Sequence, residues 1–430
     1  MASLTPRKEV KSDATVRAIK RKPPITASEN PKRRLPEKPS SYIHQSKWVS
    51  NNYSDLKLIG KGAFGLVYRA RSKRHPEQVV AIKEILKNSL PDNVVCEMDL
   101  VQMLGGKNNI LSTLATHKDM GAYIVMEYFP HDEFRDVIKS MSSNEAYHYM
   151  ANMIKSIEYL HSHNIIHRDL KPDNFLYNRK HRRYALIDFG LSQRYSGEFD
   201  RAQKLKQRYS VTGLPNLPNP LTKTCQMPCL CEDFKPPCNG CLMKPEVVVN
   251  KAGTPRFLAP EILIGSSKQT TKIDIWAMGI TLFFLITRKY PYFHARQNLE
   301  MVTELAALLG TKTFIDTAEK HGMSLKMDFE LRPLNIALFA FTHRYGTLNE
   351  CTALALPCDY CSQIFQYDQN VSSEDPKNDF CLCRPLDIVQ QARILTQMDD
   401  RRLAVMLQMC LVVDPDKRES AESLLKKFSV

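Results

Sequence analysis

The stretch that decides the fold is His167-Arg168-Asp169-Leu170-Lys171-Pro172-Asp173-Asn174. Within six residues it supplies a carboxylate at Asp169, an ammonium group at Lys171 and an amide at Asn174. These groups suit a loop that accepts a proton, neutralises a migrating negative charge and holds a metal ion. Asp188-Phe189-Gly190 follows 14 residues after Asn174 and adds a second carboxylate. Together the two motifs predict a site that transfers an anionic group and binds Mg²⁺ through Asn174 and Asp188.

A glycine-rich turn, Gly60-Lys61-Gly62-Ala63-Phe64-Gly65-Leu66-Val67, lies nearer the start of the chain. Glycines at these sites let backbone amides close over phosphate groups without a side chain in the way. The turn joins two strand-like segments, which fits a flap over nucleotide phosphates, whereas a dinucleotide-binding fold needs a strand followed by a helix. We therefore expect the turn to bind ATP through Gly60, Gly62, Ala63, Phe64, Gly65 and Val67.

A buried lysine follows the turn, at the end of the short strand Val80-Ala81-Ile82-Lys83. A lysine in such a place is costly unless its charge is paired. The next segment, 91–104, is predicted to be a helix because it has a proline near its start and two glycines after its end. It offers Glu97, 14 residues after Lys83. We expect the two to form an ion pair that orients the nucleotide; the alternative for Glu97 is a solvated helix carboxylate.

Strand-like segments come first along the chain and helical patterns later, at 145–161, 274–287 and 299–309. This order predicts an α+β fold with a small sheet-rich lobe and a larger helical lobe. Residues 1–50 are expected to be a disordered basic tail. Two long polar or mixed stretches, 193–251 and 311–385, are expected to be irregular insertions.

The motifs resemble those of the eukaryotic protein kinases. Three later landmarks agree with this resemblance: Ala259-Pro260-Glu261, the segment 274–279 and Arg418. The resemblance implies a two-lobed kinase domain over 51–428, with an N-lobe at about 51–127 and a C-lobe at about 131–428. It also implies that Asp169 is the catalytic base and that Lys171 neutralises the transferring charge.

Further residues bear on the kinase class. Lys171 and Gly253-Thr254-Pro255 are similar to the serine/threonine class rather than the tyrosine class. Met126 falls where kinases guard the back of the adenine pocket, although a plain core residue would fit equally well. The resemblance implies that the nucleotide site also includes Ala81, Met126, Glu127 and Tyr128.

Within the kinases, four segments look like the cell-division-cycle-seven family, as do the two insertions: 128–134, 174–179, 184–193 and 252–261. That family supplies the catalytic subunit of the Dbf-four-dependent kinase, DDK. The resemblance implies a Dbf-four-type regulatory subunit, MCM helicase subunits as substrates in chromatin, and a preference for acidic residues after the phosphorylated one. Family members carry arginine just before Ala-Pro-Glu, whereas this chain has Leu258 there and Arg256 two positions earlier. The casein kinase one group shares Asn-Phe-Leu after the catalytic loop and is the alternative.

The composition and the charge distribution of the chain limit which compartments and partners it can have. The chain has 430 residues, is 43% hydrophobic and 25% charged, and carries a net charge of +14. Residues 1–50 hold 12 basic and 4 acidic side chains, so +8 of that charge lies in the tail. Basic clusters at 20–22 and 32–34 have a spacing compatible with a nuclear import signal, although a solvated tail has the same composition. We expect no secretory signal and no membrane partner, because the longest apolar run has only 12 residues.

The cysteines suggest a second metal. Of the 12 in the chain, ten fall in the two insertions. Paired thiolates can bind Zn²⁺, although reduced surface thiols are the alternative. The first candidate set is Cys229, Cys231, Cys238 and Cys241, with Cys225 as a possible replacement, and the second is Cys351, Cys358, Cys361, Cys381 and Cys383. Cys96 and Cys410 fall in apolar helices and are expected in the core.

Two hypotheses from other classes remain. A kinase-fold scaffold without activity would lack at least one of the residue types at Lys83, Asp169 and Asp188, and all three are present. A zinc-bearing nucleic-acid-binding protein would account for the tail and the cysteines, but it would leave the catalytic loop unexplained.

Overall fold

The computed structural model describes residues 41–62, 65–85, 91–195, 253–266, 268–295, 297–345, 395 and 397–429. Among these, no helix is both long and apolar enough to cross a membrane. The fold is α+β, as predicted, with a sheet-rich N-lobe followed by a helical C-lobe.

The N-lobe is built on one antiparallel sheet with the strand order β1-β2-β3-β5-β4. Its strands are β1 Tyr53–Lys61, β2 Gly65–Ser72, β3 Val79–Ile85, β4 Thr113–Lys118 and β5 Ala122–Glu127. The β2–β3 register pairs Val67 with Lys83, and the β3–β5 register pairs Ala81 with Met126. Because side chains alternate along a strand, Ala81 and Lys83 lie on the same face of the sheet.

One long helix crosses the N-lobe between β3 and β4. It runs over Pro91–Leu104 (α2), as the sequence predicts. Pro91 suits the first helical position, where its missing N–H costs nothing. Gly105 and Gly106 follow with φ of 66° and 67°, a left-handed conformation that glycine adopts without strain. The helix therefore begins and ends where its sequence dictates.

The C-lobe consists of helices around one core, with short strands at its upper edge. The strands are β6 Ile165–Ile166, β7 Phe175–Asn178, β8 Arg183–Leu186 and β9 Gln193–Arg194. The helices are α3 Phe134–Ser140, α4 Ser143–Ser162, α5 Pro260–Leu263, α6 Lys272–Thr287, α7 Asn298–Leu309, α8 Thr311–Lys320, α9 Ile336–Tyr345, α10 Met398–Cys410 and α11 Ala421–Phe428. Helix α6 is buried along nearly its whole length, because it packs against α4, α9 and α10. Helices α6 and α10 approach closely at Gly279, where an added Cβ would lie only 2.7 Å from Cβ of Cys410.

The first correction concerns the start of the ordered domain. We expected a disordered tail through residue 50, but residues 41–52 pack on the sheet, with a short helix α1 at Lys47–Asn52. Ile43 and Val49 are fully buried in a cluster with strand side chains. The carboxylate of Glu84 accepts hydrogen bonds from Ser41 Oγ at 2.7 Å and the Tyr42 backbone N–H at 2.6 Å. Buried apolar side chains and a paired carboxylate fix this segment; residues 1–40 lie outside the described part.

The second correction concerns the two insertions. The stretch 311–385 was expected to be irregular, yet α8 and α9 occupy 311–320 and 336–345 and bury apolar side chains in the C-lobe. The first insertion was expected to begin at 193, but Gln193 and Arg194 pair with β6. Residues 196–252 and 346–394 lie outside the described part.

Candidate active site

The N-lobe contributes an ammonium group held between two carboxylates. Lys83 Nζ lies 2.5 Å from Glu97 Oε1 and 2.7 Å from Asp188 Oδ1. Burial lowers the pKa of Lys83, but the two carboxylates outweigh it and hold that pKa above its ordinary value. For Asp188, burial raises the pKa and Lys83 outweighs it, so the pKa of Asp188 is lowered. Lys83 and Asp188 are therefore both charged at neutral pH, and the group links α2 to the C-lobe.

The catalytic loop surrounds the carboxylate of Asp169 with donors. Lys171 Nζ donates to Oδ2 at 2.7 Å, and Asn174 Nδ2 donates to the same atom at 3.1 Å. Thr254 donates to Oδ1 twice, from its backbone N–H at 2.9 Å and from its hydroxyl at 2.6 Å. Four donors thus fix the carboxylate in one orientation, and Thr254 links it to the segment before α5.

A buried aspartate holds the backbone of the loop. Asp274 accepts the backbone N–H of His167 at 2.8 Å and of Arg168 at 2.9 Å. Its Oδ2 also lies 3.0 Å from His161 Nε2. Burial raises the pKa of Asp274, but the hydrogen bond and charge of His161 outweigh it, so the pKa is lowered. Arg168 has a φ of 70°, and these two bonds help to keep the loop in that left-handed conformation.

The donor set fits a divalent metal ion with oxygen ligands. Asn174 uses its amide nitrogen to bond the backbone oxygen of Asp169 at 2.8 Å, which leaves its amide oxygen available as a ligand. Asp188 uses Oδ1 for Lys83 and for the Gly190 backbone N–H, which leaves Oδ2 available among the described contacts. Both residues could therefore hold Mg²⁺.

Most of the residues predicted to bind the nucleotide lie in the glycine turn and at the end of β5. A Cβ at Gly65 would lie 2.5 Å from the backbone oxygen of Glu84, so only glycine lets β2 approach β3 this closely. Glu127 is paired with Arg183 at 2.8 Å, and the Tyr128 ring lies 5.5 Å from Arg69 Cζ. Ala63 and Phe64, also predicted to bind ATP, lie outside the described residues.

The comparisons with known proteins agree with this geometry. Residues 53–212 and 240–428 match the protein kinase domain. A probable cell division control protein 7 homolog of Encephalitozoon cuniculi is 31% identical over 295 residues, covering 68% of this chain and 81% of the relative. This chain belongs to the Cdc7-type protein kinases.

Two further relatives are more distant from this kinase. The cell cycle protein kinase spo4 of Schizosaccharomyces pombe is 28% identical over 311 residues, covering 64% of this chain and 69% of the relative. The human cell division cycle 7-related protein kinase is 24% identical over 395 residues, again covering 64% of this chain and 69% of the relative. The prediction of a serine/threonine kinase of this family is therefore confirmed, and the family uses ATP with Mg²⁺.

One residue of the kinase site was not assigned a role from the sequence. Thr254 was used only as a marker of kinase class, yet it makes two of the four bonds to the Asp169 carboxylate. Its sequence signal is the Gly253-Thr254-Pro255 triplet, which places a hydroxyl shortly before Ala259-Pro260-Glu261. Arg256, the arginine two positions before Leu258, donates from Nε to the Phe293 backbone oxygen at 2.9 Å.

The zinc predictions for the kinase fall outside the described residues. All the candidate ligands lie within 196–252 or 346–394. The described part of the chain has no group of three or more His, Cys, Asp or Glu side chains that could hold a metal ion. Of the two other cysteines, Cys410 is fully buried, as expected, whereas Cys96 is only partly buried and packs against the edge of the core.

Proposed function

We propose that this kinase is the catalytic subunit of a Dbf-four-dependent kinase and phosphorylates MCM helicase subunits in the nucleus. Its membership of the Cdc7-type kinases is the observation that carries the proposal. The basic clusters at 20–22 and 32–34 support nuclear import, and a nuclear kinase could reach helicase subunits on chromatin. A Dbf-four-type regulatory subunit would be its partner.

Asp169 acts as the general base in the proposed reaction. Its carboxylate takes the proton of the substrate serine or threonine hydroxyl while the hydroxyl oxygen bonds to the γ-phosphorus of ATP. The bond from that phosphorus to the β–γ bridging oxygen breaks, and ADP leaves with the electron pair. Lys171, 2.7 Å from Asp169, places a positive charge beside the transferring group. Thr254 keeps the carboxylate oriented.

Lys83 binds the nucleotide phosphates in this proposal, and Glu97 keeps its ammonium group in place. Asn174 and Asp188 would hold Mg²⁺, which neutralises phosphate charge when it is bound. Gly60, Gly62, Gly65 and Val67 close over the phosphates, and the backbone at Glu127 and Tyr128 binds the adenine, between Met126 and Ala81. The kinase family supports these roles, and the distances described above support those of Lys83 and Glu97.

The experiment is phosphate transfer from ATP to purified MCM subunits and to an acidic serine peptide. The kinase is measured alone and with a Dbf-four-type subunit. Strong stimulation by that subunit, with MCM subunits preferred over unrelated acidic proteins, supports the proposal. Full activity of the kinase alone, without preference for helicase subunits, would retain the kinase assignment and remove the DDK role.

A further inference from the structure

A run of five basic residues forms the turn between β7 and β8. Residues 179–183 read Arg-Lys-His-Arg-Arg, and they begin five residues after Asn174, where the catalytic loop ends. The two ends of the run are neutralised within the fold. Arg179 pairs with Glu145 at 2.8 Å, and Arg183 pairs with Glu127 at 2.8 Å.

The middle of the run is exposed and has no acidic partner among the described residues. Lys180, His181 and Arg182 are all exposed, and no ion pair joins them to a described carboxylate. Arg182 also has a φ of 48°, so the turn is held in a left-handed conformation at that residue. An exposed charge that stabilises nothing in the fold is available to a partner.

A cavity lies directly beside this turn. It has a volume of about 300 Å³ and is lined by Arg182, Arg183, Tyr184, Asn109, Asn152 and Glu127, among others. Its polar floor is ordered, because Asn109 Nδ2 donates to Asn152 Oδ1 at 3.0 Å and to the Asn152 backbone oxygen at 3.2 Å. Among the described lining residues the acidic side chain is Glu127, which Arg183 already neutralises.

The rim of the cavity adds further positive charge. Lys107 is exposed and follows Gly106, which lines the cavity. Lys155 is exposed on α4, three residues after Asn152 and therefore on the same side of that helix. Basic side chains of the helix, the loop before β4 and the β7–β8 turn thus surround a concave polar surface.

The aromatic side chains of the cavity argue against a nucleic acid as its occupant. Single-stranded nucleic acids bind proteins largely by stacking bases on exposed rings. Here the Phe129 ring is covered by the Arg183 guanidinium at 5.1 Å, and Tyr184 is stacked on Tyr177 at 4.9 Å. A concave site with an amide floor and free basic groups fits the carboxylate or phosphate side chains of a peptide.

We propose that the β7–β8 turn and its cavity form a docking site for an acidic segment of a protein substrate. We call it the basic-turn site, meaning Lys180, His181 and Arg182 with the cavity beside them. Its lining shares Glu127 with the proposed adenine site but contains none of the residues that hold Asp169, Lys83 or Asp188 in place. Substrate docking rests on the proposed function, whereas peptide binding itself does not.

The binding test uses the full chain and a short fluorescent peptide of aspartate and glutamate that has no phosphorylatable residue. A second peptide carries one phosphoserine, which separates carboxylate from phosphate recognition. The variant K180Q/R182N removes two charges, and asparagine tolerates the left-handed conformation at 182. The control K118Q/K312Q removes two exposed charges elsewhere. We expect the first variant to weaken binding about threefold or more, from the usual worth of exposed charge pairs, and the control to bind normally.

The kinetic test links the same acidic segment to a phosphorylatable serine peptide. K180Q/R182N should raise KM for the linked peptide, while kcat, KM for ATP and KM for the unlinked peptide stay unchanged. Equal binding by both variants would overturn the proposal. So would an oligonucleotide that binds this site more tightly than either peptide and loses affinity in K180Q/R182N. If the wild-type protein binds the acidic peptides but transfers no phosphate, only the proposed function is refuted.

Discussion

The ion pair between Glu261 and Arg418 gives a stability prediction whose size follows from the structure. Both side chains are fully buried, and two bonds of 2.9 Å join them, Nη1 to Oε1 and Nη2 to Oε2. Arg418 also donates to three backbone oxygens, those of Val412, Lys272 and Val413, and lies 5.1 Å from the Trp276 ring. One side chain therefore ties α5, which carries Glu261, to α6 and to the loop before α11.

Arg418→Met should lower the free energy of unfolding by about 3–5 kcal/mol, since it leaves the Glu261 carboxylate buried without its partner. Glu261→Leu should lower the free energy of unfolding by less than Arg418→Met does, because the Arg418 guanidinium keeps its three backbone acceptors. The double variant should lose clearly less than the sum of the two single losses, because no unpaired charge remains. These losses are large against a typical total stability of about 5–15 kcal/mol.

Urea unfolding followed by tryptophan fluorescence measures these changes. The chain has two tryptophans, and Trp276 lies against Arg418 while Trp48 lies in the N-terminal segment. Lys426→Met, which breaks the exposed pair with Glu422, is the matched control and should leave the unfolding midpoint unchanged. The reasoning is refuted if each single variant at 261 and 418 costs less than about 1 kcal/mol, or if the two losses simply add.

Three further predictions concern other elements. Asp274→Asn should lower kcat for phosphotransfer with little change in KM for ATP, because the amide nitrogen cannot accept one of the two bonds from the loop backbone. Since the folded pKa of Asp274 is lowered, the stabilisation from its carboxylate is present above about pH 4 and lost below it. The urea midpoints of wild type and variant should therefore converge as the pH falls. Gly279→Ala should cost about 1–3 kcal/mol from overpacking against Cys410, measured as the urea midpoint. Ile43→Ala should lower the free energy of unfolding by about 2 kcal/mol or more from lost burial, whereas the exposed Leu299→Ala should not. Equal urea midpoints for these two variants would show that burial of Ile43 does not stabilise the fold.

That the side chains of the candidate active site lie together was largely predictable, because they are concentrated in short motifs. Asp169, Lys171 and Asn174 lie within one loop, so their proximity follows from the chain itself. The pairing of Lys83 with Glu97 was predictable because a buried ammonium group needs a carboxylate, and the proline and glycines around 91–106 fix the helix that carries it. These are local signals with a clear physical reason.

The corrections arise where the signal is not local. Residues 41–50 have the polar composition of a tail, and what orders them is the burial of Ile43 and Val49 against a sheet formed later in the chain. Helices α8 and α9 were missed because the stretch 311–385 was judged as a whole by its mixed composition. The bonds from Thr254 to Asp169 join groups 85 residues apart, a contact that spacing alone does not show.

The most direct test of the account is phosphate transfer by Asp169→Asn, measured beside wild type with the same regulatory subunit and acidic serine substrate. We expect turnover to fall by about 10²–10⁴-fold, the usual worth of general base catalysis. KM for ATP and the urea midpoint should stay near those of wild type, since the loop remains held by Asp274. Turnover near that of wild type in this variant would contradict the assignment of Asp169 as the base, and with it the proposed mechanism.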